Sequence, residues 1–70
     1  MTSFRHWALH EFETTDKMCQ DFLFDLKHDR EFPRGLKTWD ALESYLIMNG
    51  ACYEAVEAGR KIFKAYEAQS

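Results

Sequence analysis

Apolar residues along this chain recur at helical spacing, never in the strict alternation of a strand. The pattern is sharpest in residues 52–67. Wound at about 100° per residue, this segment gathers Cys52, Ala55, Val56, Gly59, Ile62, Phe63 and Tyr66 into one stripe. Glu54, Glu57, Arg60, Lys61 and Lys64 fall on the other side. The segment therefore predicts an amphipathic helix that serves as the wall for shorter elements.

Three such elements precede it. Ser3 is a natural N-cap, and the helix it opens is predicted to run to about Glu13, with Phe4, Trp7, Ala8 and Phe12 on one face and His6, His10 and Glu13 on the other. After Thr14-Thr15, Asp16 caps a second helix over residues 17–28 that buries Met18, Cys19, Phe22, Leu23 and Leu26. Phe24 falls on its polar side. Since a middle helix of a small bundle packs on two sides, Phe24 is expected to be core or semi-buried.

Residues 29–37 break the helical pattern, because Pro33 pushes Phe32 towards an extended conformation and Gly35 follows. Phe32, alone among charges, reads as a plug that fixes the loop in the core. Thr38 caps a third helix over residues 39–48, with Trp39, Ala41, Leu42, Tyr45, Leu46 and Met48 on a wide apolar arc and Ile47 on the wet side. Asn49-Gly50 supplies the left-handed stop before the last helix begins. The expectation is a single all-α domain over residues 1–70, a compact four-helix bundle.

Composition adjusts this picture in two ways. Seventy residues lie near the lower limit for a self-sufficient core, yet six phenylalanines, three tyrosines and two tryptophans are present. Each ring buries roughly 150–250 Å², so a few of them replace many aliphatic side chains; the net stability to expect is about 3–5 kcal/mol. Cys19 and Cys52 lie outside any metal-ligand spacing and are read as buried free thiols, the usage of an intracellular protein. The first residues do not read as a signal peptide, and no apolar run approaches the ~20 residues that cross a bilayer. A soluble, cytoplasmic protein is expected.

Ser3-Phe4 opening an aromatic helix, Phe32-Pro33, Tyr45-Leu46, Asn49-Gly50 and the closing Phe63-x-x-Tyr66 together resemble the YozE-like proteins, small single-domain bacterial proteins found mostly in Firmicutes. The resemblance spans essentially the whole chain. It implies a compact helical bundle akin to the sterile alpha motif and says little of activity. Two positions depart from that family's pattern, which tends to carry an aromatic at Gly59 and a tryptophan at Phe63. The volume beside Gly59 is expected to be filled by Trp7 and Trp39.

Few residues offer chemistry. His6 and His10, four apart with Glu13 nearby, could chelate a divalent metal, but nothing completes the site, and exposed histidines are the plainer reading. The cysteines lie on core faces away from any histidine, and Gly35, Gly50 and Gly59 are isolated, so neither a nucleophilic centre nor a phosphate loop is formed. No enzyme, cofactor or small-molecule substrate is expected.

Surfaces remain. Arg30, Arg34 and Lys37 in the loop and Arg60, Lys61 and Lys64 on the last helix could meet DNA or RNA phosphates if the fold sets residues 27–37 beside residues 60–64. The net charge of −3 argues against indiscriminate nucleic-acid binding. Phe24 and Ile47, if exposed and adjacent, would instead form an apolar contact for another protein or a second copy. The sequence favours a small interaction module, with protein ahead of nucleic acid as partner.

Overall fold

The computed structural model describes residues 2–69, which form helices α1 Phe4–His10, α2 Lys17–His28, α3 Trp39–Met48 and α4 Tyr53–Glu67, with no strand among the described residues. α4 packs on each of the other three, α1 also packs on α2, and α2 and α3 lie against α4 but not against each other. The terminal helix is thus the shared wall that its amphipathic stripe predicts.

The caps explain where the helices begin. Ser3 Oγ accepts from the His6 N–H, Thr38 Oγ1 accepts from the Ala41 N–H, and Asp16 accepts from the N–H groups of both Met18 and Cys19. Those bonds, the Cys19 one foremost, hold the Asp16 carboxyl below its ordinary range, as does Lys61 of α4 at 3.4 Å. α4 starts without such help, because its N-cap, Cys52, makes no side-chain cap bond.

Rings hold the elements together. Phe4, Leu42, Ile62 and Phe63 are the largest fully buried side chains. Phe4 meets Phe63 at 5.0 Å between centroids and Tyr66 edge-on at 5.5 Å, while Trp7 meets Tyr66 at 5.4 Å. Each such pair contributes about 0.5–1.5 kcal/mol beyond its buried area. Phe32 is the plug expected of it, buried between Phe4 and an edge-on Tyr45. The Tyr66 hydroxyl donates to the Thr2 carbonyl at 2.6 Å, tying the first described residue to the end of α4.

Several expectations are corrected. α1 ends at His10 rather than near Glu13, and the N–H groups of Glu11 and Phe12 both turn onto the Trp7 carbonyl. Residues five apart on a helix point about 140° from one another. The Trp7–Phe12 ring contact at 5.4 Å forms where the chain has left the helix. Cys52 is exposed because it precedes α4, and only Cys19 is the buried thiol expected of both; burial pushes the Cys19 thiol pKa up. Ala58 joins the buried stripe of α4, whereas Ala41 and Met48 leave that of α3. Phe24 is not semi-buried: it stands 64% exposed, with its ring against His28 one turn along α2. Finally, the space over Gly59 is taken by Phe22 and Leu46, not by Trp7 and Trp39; a Cβ there would lie 3.1 Å from the Phe22 ring and 3.2 Å from the Leu46 Cδ1.

Candidate functional site

The corner between α3 and α4 is built by a tight helix stop. Gly50 adopts φ +74°, its N–H donates to the Ile47 carbonyl, and the Ala51 N–H reaches back to the Leu46 carbonyl. This is the paired bonding of a Schellman ending, which reverses the chain within a few residues. Leu42 and Leu46 turn inward onto α4, leaving the other face of α3 uncovered. Ile47 is 61%, Met48 86% and Tyr53 77% exposed, so three large apolar side chains meet water within seven consecutive residues. Cys52 is exposed beside them. Phe24 shares the exposure expected of an apolar contact, but it lies on α2, whose backbone packs on α1 and α4 rather than on α3. Phe24 thus stands on a different helix from Ile47, whose exposed apolar neighbours along the chain are Met48 and Tyr53.

The six basic residues divide into two groups. On α4, Arg60 pairs with Glu57 at 3.4 Å and Glu43 at 3.7 Å and lies over the Trp39 ring at 5.3 Å, while Lys61 pairs with Asp16. Such exposed pairs contribute little to stability, but they occupy the charges. Lys64 stays exposed. In the loop, Arg30 and Arg34 line a cleft of about 540 Å³ together with Ser3, Arg5, His6, Asp29 and Phe32. Arg34 and Lys37 line a second, open groove with Trp7, Leu36 and Tyr66, where the loop lies beside Tyr66, Glu67 and Gln69 at the end of α4. Neither groove includes Arg60, Lys61 or Lys64.

Sequence reasoning missed Arg5 in the first cleft. The Phe4–Phe32 ring contact carries Arg5 towards the arginines that flank Phe32, a long-range pairing that no helical period encodes. Arg5 is anchored there, donating to the Lys27 carbonyl at 3.2 Å. The Asp29 carboxylate beneath them accepts from the Glu31 N–H and from the Tyr45 hydroxyl. Burial, then the Asp29 hydrogen bond and charge, pushes the Tyr45 pKa up to about 12.

The His6 and His10 rings lie tilted against each other with centroids 4.4 Å apart, but α1 ends before Glu13, and no group of three or more His, Cys, Asp or Glu side chains among the described residues could hold a metal ion. No helix among the described residues is long and apolar enough to cross a membrane.

Three capped helices wedged by rings onto a fourth define a compact all-α domain of the SAM-like kind. The family model for the YozE SAM-like fold matches residues 3–68, and the chain belongs to that family. Neither a curated protein nor a solved structure matches the chain.

Proposed function

We propose that this chain works as a small, non-enzymatic protein-interaction module that meets another protein through the α3–α4 corner. The exposure of Ile47, Met48 and Tyr53 on one tight turn carries this reading. Three of the four exposed large apolar side chains among the described residues fall on this turn, Phe24 being the fourth, and such a cluster resembles the apolar centre of a binding patch rather than scattered surface residues. Nucleic-acid binding is the weaker reading, because ion pairs with Glu43, Glu57 and Asp16 occupy Arg60 and Lys61, two of the six basic residues it requires.

The test is affinity capture from a native lysate of the source cells, comparing the wild-type chain with Met48→Lys and Tyr53→Lys variants of unchanged melting temperature. A protein retained by the wild type and lost by both variants supports the corner. Equal retention by all three removes it.

A further inference from the structure

We propose that the cleft bounded by Ser3, Arg5, His6, Arg30 and Arg34 is a phosphoryl-binding site, and that it takes a phosphorylated segment of a partner protein. Arg5, Arg30 and Arg34 come from α1 and the loop after α2, and none has a carboxylate partner among the described residues. That sets them apart from Arg60 and Lys61, which are paired. Asp29 also lines the cleft, but one carboxylate against three guanidinium groups leaves it cationic, and both Asp29 oxygens already accept bonds from Glu31 and Tyr45. Three cationic groups lining one cleft favour an incoming anion.

Guanidinium groups present planar forks of N–H donors that match phosphoryl oxygens. Arg5 is already held in place by the Lys27 carbonyl, and the Ser3 hydroxyl adds a small polar group at the rim. The buried Phe32 ring supports the loop from beneath. Ser3 and Arg34 are shared with the neighbouring groove, lined by Trp7, Leu36 and Tyr66, which suits an apolar side chain next to the phosphorylated residue.

A nucleic-acid strand fits less well. It presents a phosphate at every step and calls for an extended basic track, whereas the unpaired arginines surround one cleft in a chain of net charge −3. None of the cleft residues belongs to the α3–α4 corner, so the two surfaces succeed or fail independently.

The experiment is an amide NMR titration of the full chain at ionic strength fixed with chloride. The probes are a short blocked peptide with phosphoserine next to phenylalanine, its unphosphorylated twin, inorganic phosphate and a single-stranded oligonucleotide. The phosphopeptide is expected to shift the amides of Arg5, His6, Arg30 and Arg34, with inorganic phosphate acting weakly at the same amides. Arg34→Gln and Arg30→Gln should each weaken phosphopeptide binding by about tenfold, the loss of one charge-assisted hydrogen bond, and Lys64→Gln should leave it unchanged. The proposal is overturned if the phosphopeptide shifts none of these amides, if the twin binds equally, or if neither arginine variant weakens binding. Tighter binding by the oligonucleotide overturns the protein ligand, and phosphate binding as tight as the phosphopeptide reduces the cleft to a small-anion site.

Discussion

Gly59→Ala sets two opposed effects against each other at one carbon atom. On an isolated helix the change is stabilising by about 1 kcal/mol, since glycine is the poorer helix former. Here the new methyl would lie 3.1 Å from Phe22 Cε2, 3.2 Å from Leu46 Cδ1 and 3.3 Å from Phe22 Cζ. Carbon atoms prefer about 3.5–4.0 Å, so each contact is a few tenths of an ångström too close. Phe22 and Leu46 come from two different helices, α2 and α3, so both must give way for the methyl to fit. Both are buried, which limits their retreat. Overpacking of this kind costs about 1–3 kcal/mol, enough to cancel and exceed the helical gain. A net loss of about 1 kcal/mol lowers the melting temperature of so small a domain by about 4–8 °C, readable by circular dichroism. In a Leu46→Ala background the penalty should shrink, because only Phe22 then resists the methyl. A melting temperature that rises by several degrees in the Gly59→Ala chain would refute the packing argument.

Phe24→Ala should change stability by less than about 0.5 kcal/mol, whereas Phe22→Ala, two residues away but buried, should cost about 3–5 kcal/mol and leave little folded protein in a denaturant titration. Cys52 should react with a thiol reagent at the rate of a free thiol, and Cys19 only as fast as the domain opens. Because the Tyr45 pKa is raised from 10.0 to about 12, the stability linked to its protonated form is complete below pH 10 and is lost as pH rises through about 12. Tyrosinate absorbance should show a late step near that pH, and Tyr45→Phe should remove it.

Element boundaries were legible wherever a cap stood next to a periodic run. Asp16 and Thr38 mark the starts of α2 and α3, and Asn49-Gly50 marks a stop, as observed. The end of α1 was not legible, because residues 11–13 continue the helical pattern, whereas the chain turns at Glu11 and sets Phe12 against Trp7. Phe24 shows a similar limit: periodicity placed it on the polar side, but whether another helix covered that side depended on tertiary packing, which leaves it exposed. The candidate surfaces were the least legible. Ile47 and Tyr53 stood outside the buried arcs of their helices, yet Met48 looked like core. Arg30 and Arg34 were found as a basic loop, but their neighbour Arg5 comes from a remote segment joined through the Phe4–Phe32 contact.

Native-state hydrogen exchange of the backbone amides bears most directly on the claim that this domain concentrates its burial on α4 and leaves the α3–α4 corner uncovered. The amides of Ala58, Gly59, Ile62 and Phe63 should be the slowest to exchange, opening only with the whole molecule. Those at Tyr53 and Glu54, in the uncapped first turn of α4, should exchange far sooner. Equal protection at both ends of α4, or faster exchange at its centre than at its start, would contradict the account.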